Sequence, residues 1–170
     1  LDRFRSLLGR EGVCDDADLI APWLSDWRGL YHGQSAAILS PADTQQVSEV
    51  VKLAAGLGIA LVPQGGNTSM VGGATPPADG SALILSTRRL NRIHRLNRDA
   101  GIAVAGAGVI LQTLHETALE QGLRFPLSLA AKGTATMGGL ASTNAGGTQV
   151  LRFGTMRGLT LGVEAVLPDG

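Results

Sequence analysis

The run Pro63-Gln64-Gly65-Gly66-Asn67-Thr68-Ser69-Met70-Val71-Gly72-Gly73 is the part of this chain whose residue types could bind an anion. It follows the apolar run Ile59-Ala60-Leu61-Val62, which reads as a buried strand. Glycine supplies unusual backbone angles and lets a ligand approach the main chain closely. Successive N–H groups in such a turn form a nest that holds an anion, typically a phosphate. Thr68 and Ser69 add hydroxyl donors. The same residue types also punctuate turns that bind nothing. On this loop alone, a phosphate cradle and a plain turn both stand.

A second segment, Gly133-Thr134-Ala135-Thr136-Met137-Gly138-Gly139-Leu140-Ala141-Ser142-Thr143-Asn144-Ala145-Gly146-Gly147-Thr148, holds five Gly, four Thr and one Ser and no charged residue. A surface linker of that length would usually carry Lys, Glu or Pro. Small, uncharged and hydroxyl-rich is what a backbone lining a buried polar ligand needs. Two such segments could hold one extended ligand.

The elements that must position these segments read as α+β. Asp2–Leu8 is a short helix stopped by Gly9 and Gly12. Ala36–Leu39 and Ile59–Pro63 are strands flanking a helix, which Asp43 caps with Gln46 in a capping-box pattern. Val47, Val50, Val51, Ala54 and Ala55 form its apolar stripe. This βαβ unit delivers the first glycine loop at the C-terminal end of a strand, where α/β folds hold ligands. Ala82–Ser86 is a further strand. Arg92–Leu96 and Ile102–Ala105 form a hairpin, Val109–Gln121 an amphipathic helix with Gly122 at its C′ position, and Leu123–Phe125 and Leu159–Leu167 two more strands.

Composition removes several function classes. The 170 residues, 44% hydrophobic, suffice for a real core. Net charge is zero, which gives no general attraction to nucleic acid or anionic membrane. The single cysteine, Cys14, excludes an intrachain disulfide and makes a cytoplasmic location the default. No apolar run approaches the roughly 20 residues of a membrane span. No secretory h-region follows the start; the chain opens without Met and stops after the turn-like Pro168-Asp169-Gly170, so a fragment of a longer protein is expected.

Gly106-Ala107-Gly108 begins like a dinucleotide fingerprint, but Leu111 takes the third glycine's place, and a strand-to-helix turn is the better reading. Walker A and Gly-x-Ser-x-Gly patterns are absent. Arg88, Arg89, Arg92, Arg95 and Arg98 lack the aromatic residues that would stack bases and read as a solvated hairpin face. His32, His94 and His115 have no partner at helical spacing for a metal, and Asp15, Asp16 and Asp18 read as helix capping. No metal-ligating set and no catalytic residue is assigned.

Taken together, Pro63–Gly73, and Phe125-Pro126-Leu127-Ser128 followed by Gly133–Gly147, resemble the two flavin segments of FAD-binding domains of the vanillyl-alcohol-oxidase (PCMH) type. The resemblance runs over residues 26–170. It is strongest to flavin-dependent D-2-hydroxyacid dehydrogenases: D-2-hydroxyglutarate dehydrogenase, D-lactate dehydrogenase and the glycolate oxidase flavoprotein subunit. Trp27-Arg28-Gly29 and Leu167-Pro168-Asp169-Gly170 are similar to words of that branch. It implies an N-terminal helical segment at 1–33 and a two-lobed α+β domain from 34 to 170. FAD would lie between the lobes, and the C-terminal part of the domain and a cap domain would be missing.

By the same resemblance, FAD is held non-covalently, since the first loop has no His or Cys to carry it. Pro63, Gln64, Gly65, Gly66, Asn67, Thr68 and Ser69 serve its pyrophosphate; Pro126, Leu127 and Ser128 approach the ring system. Gly133, Thr134, Thr136, Gly138 and Gly139 line the ribityl and phosphate path, and Asn144, Gly146 and Gly147 support the same wall. The implied reaction moves hydride from C2 of a 2-hydroxyacid to flavin N5. The base, the carboxylate-binding Arg and any divalent metal would come from outside this segment. An unidentified electron acceptor is implied, with a homodimer or a multi-subunit oxidase as the assembly, cytoplasmic or peripheral at a membrane through a partner. Ser69 and Met70 stand where these relatives usually have Gly and Leu. Thr134-Ala135 and Leu140 replace Ser-Cys and Asn, and Tyr31-His32-Gly33 lacks the usual Arg before Gly.

Overall fold

A computed structural model describes residues 1–170 as two compact units, Leu1–Arg89 with Ala165–Gly170, and Leu90–Glu164. The first is built on a four-stranded sheet of β1 (Val13–Cys14), β2 (Ile38–Leu39), β3 (Ala60–Gln64) and β4 (Ala82–Ser86), in the order β1-β2-β4-β3. β1 is antiparallel to β2, and the remaining pairs are parallel. All five residues of β4 are buried, as expected of a strand flanked on both sides within a parallel sheet. The helices of this unit are α1 (Asp2–Leu8), α2 (Ala17–Ile20) and α3 (Thr44–Leu57).

Local chemistry sets these elements. The Asp43 carboxylate accepts the Gln46 N–H at 2.8 Å, and the Gln46 side chain accepts the Ala42 N–H at 2.8 Å. The capping box therefore closes on the residue before the cap. α3 ends on Gly58, whose φ of 66° lies in the left-handed region that glycine adopts without cost. β3 begins two residues later, so the helix stop also sets where the glycine loop emerges. Asp16 caps α2 by accepting from the Asp18 and Leu19 N–H groups, the capping role expected of that acidic run. Phe4 and Leu8 of α1 pack with Val50 and Ala54 of α3 and with Leu39, Leu83 and Leu85 of the sheet.

In the second unit, β5 (Ile93–Asn97) and β6 (Ile102–Ala105) form the expected antiparallel hairpin. α4 (Leu111–Glu120) ends through Gly122 at φ 71°, with the Leu123 N–H returning to the Ala118 carbonyl at 2.8 Å. Three short helices follow: α5 (Met137–Ser142), α6 (Val150–Phe153) and α7 (Met156–Leu159). Leu111, Leu127, Ala135, Leu140 and Met156 form the core.

Two expected strands do not form. Leu123–Phe125 runs without a ladder into Pro126. Residue 159 closes α7, and 160–167 has no strand partner. The alternation there is real, but a strand is defined by the backbone beside it. Leu161 and Val163 are 79% and 74% exposed, with no neighbouring strand to cover them.

Phe4 is 1% exposed, so Phe4→Ala should cost about 3–5 kcal/mol through lost burial and an unfilled cavity. Urea titration should show a lower midpoint with an unchanged slope.

Candidate functional site

The first unit holds the feature with the clearest chemical capacity. Beyond the C-terminal end of β3 the chain enters a half-buried loop, and the N–H groups of Gly65, Gly66, Asn67, Thr68, Ser69 and Met70 donate to no protein acceptor. Asn67 has φ 52°, one of two non-glycine residues in the left-handed region. Strained backbone of this kind persists where surrounding structure holds it, and it clusters at ligand sites. A run of unpaired N–H groups calls for an acceptor, and charge-assisted bonds to an anion are the strongest available.

The side chains of this loop brace it. Gln64 is 2% exposed, and its amide donates to the Trp23 and Ala74 carbonyls at 3.0 and 2.8 Å. It therefore ties the two ends of the loop together, with its side chain turned inward. The Asn67 amide donates to the Ser25 carbonyl at 2.8 Å. Trp27 Nε1–H donates to Met70 Sδ at 3.0 Å, and Gly72 lies against the Tyr31 ring so closely that a Cβ would sit 2.6 Å from Cδ2. Pro63 is exposed.

A residue that the sequence analysis passed over organises this wall. Asp26 is 4% exposed, and its carboxylate accepts the N–H groups of Leu30 and Tyr31 at 2.7 Å each and of Arg28 at 3.3 Å. The Tyr31 N–H is the main reason its carboxyl lies below the usual carboxylate range. Burial opposes this, and the Leu30 and Arg28 N–H groups and the Arg28 charge reinforce it. The signal was present as an Asp three residues before a glycine: Gly29 has φ 67° and its N–H returns to the Asp26 carbonyl at 2.9 Å.

The second unit brings its own expected residues together. The Thr148 N–H donates to the Ser128 carbonyl at 2.8 Å, and Gly147 packs on the Ser128 backbone. The Gly138 N–H donates to the Ala107 carbonyl at 2.8 Å, so the turn at 106–108 is the packing partner of this segment. Gly138 and Gly139 lie in the first turn of α5. Asn144 is the other left-handed non-glycine residue, at φ 48°, and its side chain accepts the Arg157 N–H at 2.9 Å. Gly133, Thr134, Gly139 and Gly146 are exposed. Most of the hydroxyls are taken up by backbone carbonyls: Ser142 donates to Gly138 and Thr143 to Gly139 within α5, and Thr148 to Ser128 across segments. Thr136 differs. It is 4% exposed, and its buried Oγ1 has no partner.

The remaining candidates make local contacts or are exposed. His115 contacts the Leu127 carbonyl at 2.8 Å and His32 the Gly29 carbonyl at 3.1 Å. Arg88 stacks on Trp23 at 4.5 Å, while Arg89 donates to the Ser40 carbonyl at 3.0 Å. Arg92, Arg95 and Arg98 are exposed. No group of three or more metal-ligating side chains occurs. No helix is long and apolar enough to cross a membrane.

A family model described as an FAD binding domain matches residues 35–170. The chain belongs to the FAD binding domain family. Relatives include the mitochondrial D-2-hydroxyglutarate dehydrogenase of Bos taurus, 41% identical over 93% of this chain and 29% of its own length. Another is a Schizosaccharomyces pombe protein provisionally named a mitochondrial D-lactate dehydrogenase, 42% identical over 98% of this chain and 33% of its own length. The chain thus spans about a third of the length of these relatives. An alkyldihydroxyacetonephosphate synthase structure superposes with a TM-score of 0.87 at 20% identity, covering 99% of this chain and 32% of that one. The 6-hydroxy-D-nicotine oxidase from Arthrobacter nicotinovorans gives 0.71 at 25% identity, covering 86% and 31%. A p-cresol methylhydroxylase structure gives 0.70 at 22% identity, covering 85% and 28%, so the α+β fold of this FAD-binding domain is the expected one.

Two outcomes follow from this geometry. A Cβ on Gly147 would lie 2.9 Å from the Ser128 backbone nitrogen, so Gly147→Ala should force 128 and 147 apart and destabilise the second unit by about 1–3 kcal/mol, measured by thermal unfolding. Because folding lowers the Asp26 pKa, its contribution is present above the ordinary carboxyl range of about 4 and lost as pH falls through the lowered value. Tryptophan fluorescence, which reports Trp23 and Trp27, should therefore stay flat through neutral pH and change only below about pH 4.

Proposed function

We propose that this chain is the FAD-holding portion of a flavin-dependent dehydrogenase that oxidises a D-2-hydroxyacid of the 2-hydroxyglutarate kind to the 2-oxoacid. The observation that carries this reading is the run of unpaired N–H groups from Gly65 to Met70, in a chain of the FAD binding domain family. The identity to D-2-hydroxyglutarate dehydrogenases supports the substrate class. When bound, FAD supplies the hydride acceptor.

The residues present fit that cofactor. A pyrophosphate carries about two negative charges, and Gly65, Gly66, Asn67 and Thr68 offer it backbone donors, with Ser69 beside them and Pro63 and Gln64 fixing the approach. Pro126, Leu127 and Ser128 meet the ring system. Gly133, Thr134, Thr136, Gly138 and Gly139 line the ribityl and phosphate path. Asn144, Gly146 and Gly147 hold the backing wall, the last through its seat on Ser128. Binding is non-covalent, because the loop offers neither His nor Cys.

The base that takes the hydroxyl proton, the Arg that holds the substrate carboxylate and any divalent metal lie in polypeptide outside these residues. A single cysteine suits a reducing compartment. The relatives are named mitochondrial, and the cytoplasm expected from the cysteine content finds no support among them. A D-lactate or glycolate oxidising enzyme is a second reading, favoured by the identity to the Schizosaccharomyces pombe protein. A non-catalytic flavin-binding remnant is a third, of another class.

The test is the visible absorption spectrum of the purified chain after incubation with FAD and desalting. A retained flavin band is expected, with no 2-hydroxyacid oxidation by this chain alone. A colourless protein would count against the flavin reading, and turnover by the isolated chain would show that the catalytic groups lie within it.

A further inference from the structure

We infer that Asp26 is a positioning residue for the anion cradle, its ionised carboxylate holding the loop at 25–31 as the buttress that fixes Asn67 and the N–H groups around it. The inference rests on reading 65–70 as a pyrophosphate cradle.

Asp26 is a nearly buried carboxylate with no cation paired to it. Its charge is met by the N–H groups of Arg28, Leu30 and Tyr31, and its own N–H donates to the Tyr31 carbonyl at 3.1 Å. One carboxylate thus closes a six-residue turn. A buried charge satisfied in this way resists rearrangement, because any movement that breaks a bond leaves it uncompensated.

The loop at 25–31 meets the segment 67–72 at three separate points. The Ser25 carbonyl, adjoining Asp26, receives the Asn67 amide at 2.8 Å. Trp27 donates to Met70 Sδ, and the Tyr31 ring covers Gly72. Asn67 is the residue on which the nest turns, and its left-handed φ of 52° is a conformation that a free Asn adopts only in part. Its side-chain bond to Ser25 is the contact that selects it. The orientation of the neighbouring N–H groups therefore passes from Asp26 through Ser25 to Asn67. Asp26 touches no ligand in this scheme and acts through the loop.

The experiment compares the wild-type chain with Asp26→Asn, Asn67→Gly and the double variant. Asp26→Asn keeps the size and removes the charge. Asn67→Gly accepts the left-handed backbone while cutting the link to Ser25. Amide hydrogen exchange is measured on the cofactor-free chain, and FAD affinity by quenching of flavin fluorescence. Asp26→Asn should speed exchange at the bonded N–H groups of Leu30, Tyr31, Gly33 and Thr75 by tenfold or more, leave β4 unchanged and weaken FAD by a similar factor. In the Asn67→Gly background the same change should weaken FAD by a clearly smaller factor than in the wild-type chain, since the link through Ser25 is already cut. Uniform acceleration that includes β4 would make Asp26 a general stabiliser and overturn the inference. So would a wild-type chain that binds FAD while Asp26→Asn binds it equally well. A wild-type chain that quenches no flavin fluorescence would instead overturn the cradle reading, and the inference with it.

Discussion

A backbone that binds an anion through its N–H groups must keep those groups free of protein partners and yet hold them in one arrangement. The loop at 65–70 meets both demands by assigning them to different atoms. Main-chain donors stay unpaired, while side chains carry the restraint: Gln64 ties Trp23 to Ala74, and Asn67 reaches Ser25. The sheet beneath is rigid for an independent reason. β4 is buried along its whole length, so β3 and the loop leaving it start from a fixed edge. Restraint by side chains suits a cofactor site, since a preorganised set of donors loses little freedom on binding.

The second unit meets a different constraint with glycine. Its segments approach so closely that a Cβ on Gly138 would fall 2.8 Å from the Ala107 Cβ, and Gly147 lies directly on Ser128. The hydroxyls of Ser142 and Thr143 satisfy carbonyls of the same segment, and that of Thr148 the Ser128 carbonyl. Much of the polarity there thus builds a tight backbone wall, and the Thr136 hydroxyl is the one left buried without a partner in it. Small and hydroxyl-rich residues were legible as unusual from sequence, but which carbonyl each hydroxyl meets was not. A hydroxyl rotates to whichever acceptor its neighbours bring near.

The sequence by itself determined the elements whose causes are local. Asp43 with Gln46 and Gly58 bound α3, Gly122 ends α4, and the β5–β6 hairpin and the strand-loop order at 59–73 follow from patterns a few residues long. The two glycine segments, and with them the family, were legible for the same reason. Only the tertiary structure decided what depends on distant backbone. It turned Gln64 inward, joined Asn67 to Ser25 across some forty residues of chain, and left 160–167 without a ladder. A cap or a turn is stabilised by atoms within a few residues. A strand ladder and the Asn67 contact with Ser25 exist only where the fold brings a distant partner.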